Sequence, residues 1–342
     1  MMTEKLNISE KSFAVVDLSH LYARCRYVTK RDSMDERARL ALHILFKCLN
    51  RIERMFEPSH YVFACYTSTS WRVEFSERYK LARRVKRAKK SVEERREDEI
   101  FFSYLNRLVN FIENETNCTM LYHEGIEADD FIAGFVRLYP DSVIVSEDSD
   151  FVQLLKISPS TIIFGGVRDI VMTRDGVFDS ETLKRKSFGL NSNGGLKLKN
   201  VKESNLPDEW YDYALFLKTI KGDPGDGVLP VKPWLRTTYV RRLYEAKKNG
   251  DYEWINFLNS VFDGKRISDL YEENRKLVDL TYMDERIVKI VEDVIRERIS
   301  KNKIPGNEVG NNFRKFLREM KLNDIGLDWV KYARIMTKGF PR

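Results

Sequence analysis

The chain has 342 residues, 42% of them hydrophobic, which allows one large or two ordinary domains, each with its own core. Its apolar runs, such as residues 131–136, are much shorter than the ~20 residues that span a bilayer, and no signal peptide is recognisable. We therefore expect a globular cytoplasmic protein that does not act in a membrane. The four cysteines and four histidines lack metal-ligand spacing, which argues against a zinc site or a disulfide framework.

Positive charge is concentrated in one segment. The net charge is +7, and residues 72–90 contain nine Lys or Arg against two Glu, which is again +7 (9 − 2). Such a segment suits a polyanion, because each neutralised phosphate releases condensed counterions. A solvated surface helix has the same composition, so charge alone leaves both interpretations open.

The first half of the chain alternates predicted strands and helices. Apolar residues recur at helical spacing in segments 37–56, 101–112 and 128–138. Runs rich in β-branched and aromatic residues predict buried strands at 13–16, 61–64, 119–122, 143–145 and 161–164. This alternation predicts a mainly parallel α/β sheet flanked by helices.

The second half is predicted to be mainly helical. Composition shifts to Gly, Asn and Lys at residues 190–195, which indicates a loop and a domain boundary. Beyond this loop, apolar residues recur at helical spacing in segments 210–220 and 287–295. We therefore predict two regions, residues 1–187 and residues 188–342.

Carboxylates follow three of the predicted strands where each strand ends. They are Asp17, Glu127, Asp129, Asp130, Asp148 and Asp150. The functional crevice of an open α/β sheet lies beyond the carboxyl ends of its strands, so we expect these acids to meet there. Each acid taken alone also has a structural explanation, as an N-cap or as a residue favoured by the helix dipole.

A cluster of carboxylates has a chemical consequence. Several acids close together cannot all ionise without a compensating charge. Oxygen ligands without His or Cys favour Mg²⁺ or Mn²⁺. Two such ions can generate a hydroxide and stabilise the leaving oxygen in phosphodiester hydrolysis.

A further acidic segment has the sequence Gly-Asp-Pro-Gly-Asp-Gly at residues 222–227. Its glycines would let backbone N–H groups approach a phosphate, and Asp223 would reach the metals. The same string is also typical of an ordinary turn.

Five motifs in order resemble the 5′-nuclease (flap endonuclease) superfamily. They are Val15-Val16-Asp17, the basic segment with Trp71-Arg72 and Tyr79-Lys80-x-x-Arg83, Glu127-Ala128-Asp129-Asp130, Asp148-Ser149-Asp150, and Gly222-Asp223-x-x-Asp226. The resemblance covers about residues 12–245 and is closest to the ribonuclease H group of T-even bacteriophages.

The resemblance implies a PIN-like nuclease core with a basic helical arch at about residues 68–98 and a helix-three-turn-helix at about residues 207–250 that grips the duplex backbone. It implies roles at the phosphate for Lys80, Arg83 and Arg72, and nucleic-acid contacts from Tyr79, Arg84, Arg87, Gly222, Gly225 and Gly227. It implies metal ligands at Asp17, Glu127, Asp129, Asp130, Asp148, Asp150, Asp223 and Asp226. Its cofactors would be two Mg²⁺ ions, which Mn²⁺ can replace, and K⁺ at the helix-three-turn-helix.

The chain departs from the family pattern at two positions. Relatives carry an Asp at the end of the second strand, where this chain has Cys65, and an Asn where it has Gly227. The first departure puts one metal contact in doubt. A protein that recognises junctions without cutting them is therefore one alternative function, and a PIN-type RNA endonuclease is another.

The function implied is 5′-to-3′ exonuclease and flap endonuclease activity, which removes RNA primers and short 5′ flaps during replication. The implied substrates are branched or nicked DNA duplexes and RNA–DNA hybrids. A single-strand-binding protein or clamp would assist a monomeric enzyme, in the host cytoplasm if a phage encodes it.

Overall fold

The computed structural model describes residues 11–28, 33–67, 69–198 and 206–341. The first residue of the predicted arch, Ser68, and residues 1–10 of the predicted first region lie outside this part. A central sheet of seven strands has the order β3-β2-β1-β4-β5-β6-β7. Its strands are β1 Phe13–Asp17, β2 His60–Ala64, β3 Thr119–Leu121, β4 Ser142–Val145, β5 Ile162–Gly165, β6 Ile170–Thr173 and β7 Gly176–Asp179.

The sheet is mainly parallel, as predicted. Strands β1 to β5 pair in parallel, whereas β6 and β7 extend the edge as an antiparallel hairpin that the sequence analysis did not predict. Asp17 lies opposite Ala64, and Val16 lies opposite Val145. The carboxyl ends of β1, β2 and β4 therefore meet at one edge of the sheet.

Helices cover both faces of the sheet. One face packs against α1 Leu18–Val28, α2 Met34–Phe56, α5 Val92–Glu115, α12 Gly306–Glu319, α13 Asn323–Leu327 and α14 Trp329–Thr337. The other packs against α6 Ala128–Leu138, a 3-10 helix at Ser149–Lys156, and α11 Glu285–Ile299. Two short helices, α3 Arg72–Phe75 and α4 Leu81–Ala88, lie between β2 and α5.

Four helices form a separate apolar cluster beside the sheet. They are α7 Trp210–Lys221, α8 Thr237–Asn249, α9 Tyr252–Asn259 and α10 Ile267–Val278. Two small hairpins accompany them, formed by β8 Gly189–Leu190, β9 Leu196–Lys197, β10 Val261–Phe262 and β11 Lys265–Arg266. Within the described residues, no helix is long and apolar enough to cross a membrane.

The last helices return to the sheet. Val291 of α11 packs on α6 so closely that a Cβ on Gly134 would lie 2.3 Å from its Cγ1 atom. Phe313 and Phe316 of α12 pack against Phe111 of α5. The division into residues 1–187 and 188–342 stays a prediction, and this packing places α11 to α14 in the same cores as the sheet.

A buried histidine joins β2 to the C-terminal segment. His60 is 0% exposed, and its ring nitrogens lie 2.8 Å from the Thr119 hydroxyl and 2.8 Å from the Lys338 carbonyl. The carbonyl can only accept, so Nδ1 carries the proton and Nε2 accepts from Thr119. Burial lowers the pKa of His60 to about 4.

This shift predicts a pH dependence of stability. An unfolded histidine has a pKa of about 6.5, so the unfolded state binds more protons between the two values. The free energy of unfolding should therefore be fully retained above about pH 6.5, the pKa of the unfolded histidine, and should fall by up to about 3 kcal/mol as the pH drops towards 4. Urea denaturation of wild type and His60→Gln across this range measures the effect. The exposed His123, changed to Gln, is the control, and identical pH slopes in all three proteins would contradict the assignment.

Candidate active site

One group of carboxylates lies at the carboxyl edge of the sheet. Asp17 ends β1, Asp129 lies in the first turn of α6, and Asp148 is the N-cap of the 3-10 helix after β4. Burial raises the pKa of Asp17 to about 6, and the charge of Asp148 adds to the shift. Burial, with the charges of Asp17 and Asp148, raises the pKa of Asp129 well above its usual value. The three acids are therefore close enough to interact.

A serine that the sequence analysis missed links two of these acids. The Ser146 hydroxyl donates to Asp17 Oδ2 at 3.1 Å and accepts from the backbone N–H of Asp148 at 3.1 Å. The N–H of His20 donates to the other oxygen of Asp17, also at 3.1 Å. These bonds fix Asp17 and Asp148 relative to each other before any ligand binds.

A second group of carboxylates adjoins the first. Asp150, Asp223 and Asp226 each offer an oxygen atom, and these atoms lie within 4.8 Å of one another. Burial raises the pKa of Asp150 to about 6, and the next contribution comes from Asp148. Asp148 therefore acts electrostatically on both groups.

A lysine missed in the sequence holds the second group together. The Lys218 ammonium forms an ion pair with Asp150 and another with Asp223, at 2.7 Å in the latter case. Burial opposes its charge, yet these two acids raise the pKa of Lys218. Lys218 is 8% exposed and lies on α7 among buried apolar residues. A lysine within such an apolar helical segment was the one feature of the sequence that could have indicated a buried ion pair.

Removing this ammonium should couple stability to metal binding. We expect Lys218→Met to lower the free energy of unfolding of the metal-free protein by about 3 kcal/mol, because two partly buried acids lose their counterion. Added Mg²⁺ should restore more stability to the variant than to wild type, since an ion can then neutralise the same acids. Thermal melting over a Mg²⁺ titration measures this. Lys248→Met, which removes an exposed lysine, is the control, and an equal Mg²⁺ response in all proteins would contradict the expectation.

Glu127 and Asp130 have a different environment from the other acids. The guanidinium of Arg72, which is 1% exposed, donates to both oxygens of Asp130, at 2.7 and 3.0 Å, and to Glu127 at 2.9 Å. The indole N–H of Trp71 also donates to Asp130, at 2.8 Å. Asp130 is 0% exposed, so the predicted metal ligand lies instead inside a buried ion pair.

Two predicted site residues, Arg72 at the phosphate and Tyr79 at the nucleic acid, are buried and have partners within the protein. Arg72 does not reach solvent, because Asp130 and Glu127 surround its charged end. Tyr79 is 3% exposed, and its hydroxyl donates to Glu127 at 2.9 Å. Both residues therefore support the base of the arch through their contacts with Glu127 and Asp130.

Two cations of the arch, the half-buried Lys80 and the exposed Arg83, lie next to the acids. Lys80 forms an ion pair with Glu127, and Arg83 forms one with Asp226 at 2.6 Å. Arg84 and Arg87 on α4 are exposed, and Arg84 also donates to the backbone carbonyls of the preceding turn. Lys80 and Arg83 are thus the arch cations beside the carboxylates.

The glycines of the 222–227 turn have structural contacts. A Cβ on Gly222 would lie 2.3 Å from the Val228 carbonyl oxygen, and one on Gly227 would lie 2.3 Å from the Arg78 carbonyl oxygen. The N–H of Gly225 donates to Asp223 at 2.9 Å. The predicted phosphate contacts of these glycines stay a prediction. Their contacts within the protein close the turn and pack it against the arch.

Cys65 lies where the family resemblance leads us to expect an aspartate. It follows β2 directly, is 8% exposed, and accepts a hydrogen bond from the Ser19 hydroxyl at 3.1 Å. Burial raises the pKa of the Cys65 thiol, and the charge of Asp17 adds to the shift. The thiol is therefore protonated at neutral pH and is a poor ligand for a hard cation.

A carboxylate at this position should strengthen metal binding. We expect Cys65→Asp to raise the cleavage rate at limiting Mg²⁺, because it places a further anionic oxygen ligand beside Asp17. The metal-free variant should be less stable, since the new charge is buried near another acid. Mg²⁺ titrations of cleavage, with melting temperatures and a Cys65→Ser control, measure both effects. A destabilised variant without a gain at low Mg²⁺ would show that Cys65 only packs the core.

The donor set of the two groups fits hard divalent cations. Asp17, Asp129 and Asp148 offer carboxylate oxygens on one side, and Asp150, Asp223 and Asp226 offer them on the other. Repulsion and burial already raise the pKa of several of these acids, so a bound cation would relieve an electrostatic cost. Two adjacent acidic groups that can each hold a divalent ion are typical of enzymes that hydrolyse phosphodiester bonds.

Comparison with known proteins identifies the family. The model of the 5′–3′ exonuclease N-terminal resolvase-like domain matches residues 12–187, which is more than half of the chain. The protein therefore belongs to the 5′–3′ exonuclease family and is a phosphodiesterase. The expected membership of the 5′-nuclease superfamily is confirmed. No curated protein sequence matches the chain.

Solved structures agree with the fold. A complex of the bacteriophage T5 D15 flap endonuclease with DNA and metal ions is 19% identical, with a TM-score of 0.58, covering 83% of this chain and 98% of that one. The T5 5′-exonuclease with bound zinc gives the same identity, TM-score and coverage. A mutant of the T5 enzyme is 16% identical, with a TM-score of 0.52 and coverage of 84% and 99%. These similarities confirm the predicted fold class.

Proposed function

We propose that this protein is a structure-specific 5′-to-3′ exonuclease and flap endonuclease that removes RNA primers and short 5′ flaps during replication. One observation carries the proposal: two groups of carboxylates meet at the sheet edge, directly beside the cations at the base of the arch. A strand that reaches the acids must pass these cations. The family membership and the T5 flap endonuclease that was solved with DNA support the same activity.

The acidic groups would hold two divalent ions. We assign Asp17, Asp129 and Asp148 to one ion, and Asp150, Asp223 and Asp226 to the other, with Mg²⁺ as the natural metal and Mn²⁺ as a substitute. Such ions supply a hydroxide at neutral pH and neutralise charge on the leaving oxygen. Glu127 and Asp130 contribute by holding Lys80 and Arg72 in place. Lys218 keeps Asp150 and Asp223 together.

The arch cations would act on the phosphate. Lys80 and Arg83 are held beside the acids by Glu127 and Asp226, so their charges lie where a phosphate approaches the carboxylates. There they offset the negative charge that develops during hydrolysis. Arg84 and Arg87 are exposed on α4 and would contact the backbone of the strand.

The connection between α7 and α8 would bind the duplex. This helix-three-turn-helix carries Asp223 and Asp226 on its first turn, so duplex binding and metal binding would share one rigid segment. The family resemblance leads us to propose a K⁺ ion at this helix-three-turn-helix. We further propose a monomer in the cytoplasm, in the host if the source is a bacteriophage, assisted by a single-strand-binding protein or clamp.

A comparison of substrates tests the proposed function. Purified protein is incubated with a 5′-flap DNA duplex, an RNA–DNA hybrid and single-stranded RNA, each with Mg²⁺ and with EDTA. We expect Mg²⁺-dependent cleavage of the flap and of RNA at the 5′ end of the hybrid. Cleavage of single-stranded RNA alone would instead support a PIN-type RNA endonuclease.

A second candidate function follows from Cys65. With a protonated thiol beside Asp17, the protein would bind junctions and hold the metal too weakly to cut. This candidate function predicts that the affinity for a flap duplex is the same in Mg²⁺ and in EDTA and that the flap stays uncut in both. Restoration of cleavage by Cys65→Asp would identify the thiol as the cause.

A further inference from the structure

The connection between α7 and α8 carries an exposed tryptophan in an unusual backbone conformation. Trp234 is 94% exposed, and its φ angle is +56°, in the left-handed region. A bulky residue in this region is a rare outlier, and strain of this kind persists where the surrounding structure fixes it. Neither burial nor backbone preference explains a tryptophan here.

The backbone around Trp234 is fixed on both sides. The Asn274 side chain donates to the Leu229 carbonyl at 2.7 Å, and the Val231 N–H donates to the Ile220 carbonyl at 3.0 Å. The Lys221 ammonium donates to the carbonyl of Leu235. The indole therefore projects into solvent from a segment that is tied to α7 and α10, which keeps its position defined.

Positive charges flank this indole. Lys232 and Arg236 are exposed, and neither forms an ion pair with a carboxylate of the described residues. Further along α8, by contrast, Arg242 pairs with Glu253 and Lys248 pairs with Glu209. Thr237 begins α8 directly after Arg236, and the side chain of Arg236, the N-cap residue, makes no capping hydrogen bond. The surface around Trp234 thus offers two cations and a helix N-terminus to an anion.

We propose that Trp234 is a contact residue for duplex DNA, with its indole packed against sugars and base edges of the groove while Lys232, Arg236 and the α8 N-terminus bind the phosphates on either side. The inference rests on the proposed function and deepens it. An apolar ring between two cations that pair with no carboxylate in the described part of the chain matches the alternation of sugar and phosphate along a nucleic-acid backbone. The ring adds affinity that does not depend on salt, whereas the cations add affinity that does.

The two contributions separate in a salt titration. The dissociation constant of a fluorescent flap duplex is measured in EDTA, where the metal-dependent reaction cannot proceed, over a series of salt concentrations. Trp234→Ala should weaken binding about 10-fold at every salt concentration, through the loss of buried apolar surface, without changing the slope of the logarithmic salt plot. Trp234→Phe should retain most of the affinity. Lys232→Ala should reduce the slope by about 0.9.

A matched control and a second readout complete the test. Tyr252 is 81% exposed on α9, away from this turn, and Tyr252→Ala should bind like wild type. DNA should also protect Trp234 from quenching by acrylamide, seen as the difference between wild type and Trp234→Phe. Equal affinity of Trp234→Ala and wild type would overturn the inference, and so would self-association in sedimentation velocity that Trp234→Ala abolishes while DNA affinity stays unchanged. Failure of wild type itself to bind the flap would overturn the proposed function instead.

Discussion

Asp148→Asn should abolish cleavage, by at least about 1000-fold in the single-turnover rate, and leave the fold intact. Asp148 acts on both carboxylate groups, since its charge adds to the effect of burial in raising the pKa of Asp17 on one side and of Asp150 on the other. An amide would remove an anionic ligand of the first group and the charge that acts on both groups. Its oxygen can still accept from the N–H of Asp150, a bond of 2.9 Å that caps the 3-10 helix.

Binding and chemistry should therefore separate in this variant. Flap affinity in EDTA should match wild type, and the melting temperature should not fall, because one repulsive charge has been removed. Asp328→Asn, which changes an exposed aspartate in an ion pair with Lys331, is the control for the loss of a carboxylate. Turnover at the wild-type rate in saturating Mg²⁺ would exclude Asp148 from the metal site.

Arg72→Met should lower the free energy of unfolding by about 4 kcal/mol. The substitution leaves Asp130 fully buried without its counterion, and removing one partner of a buried ion pair is far more costly than exchanging both partners. Asp130→Asn in the same chain should recover part of the loss, because the uncompensated charge then disappears. Urea denaturation of the two single variants and the double variant measures the coupling.

The arch offers a matched control for this prediction. Arg78 is exposed on the same segment, so Arg78→Met should change stability by less than about 0.5 kcal/mol. If Arg72→Met behaved like Arg78→Met, Arg72 would not be buried with Asp130 in solution. The contacts of Arg72 with Glu127 and Asp130 would then not hold the arch in place.

The parallel part of the sheet could be predicted because its strands are short apolar runs between amphipathic helices. The hairpin of β6 and β7 was missed, although Asp175-Gly176 between two apolar runs is a turn signal. Helix α5 also begins earlier than predicted, at Val92 and not near residue 101. Its first turns are charged and exposed, so apolar periodicity does not reveal them, but the capping box of Ser91 and Glu94 marks the start.

The acids of the site could be predicted because each follows the end of a strand, and parallel strands bring those ends together. The ion-pair partners of these acids could not be predicted, because the sequence does not show which distant residues the fold brings into contact. Arg72 was assigned to the phosphate, yet it lies 2.7 Å from Asp130 after the arch folds back over α6. Lys218 was not predicted as a site residue, yet it forms ion pairs with acids from two separate segments.

Incubation of a 5′-labelled flap duplex with wild-type protein, in Mg²⁺ and in EDTA, tests the proposed nuclease activity. We expect a short labelled product that ends in a 3′-hydroxyl, formed only with Mg²⁺, and a remaining strand that begins with a 5′-phosphate. Cleavage that persists in EDTA would show that the carboxylate groups do not act through metal ions. A flap that stays uncut in saturating Mg²⁺ would contradict the central claim that this acidic edge is a nuclease site.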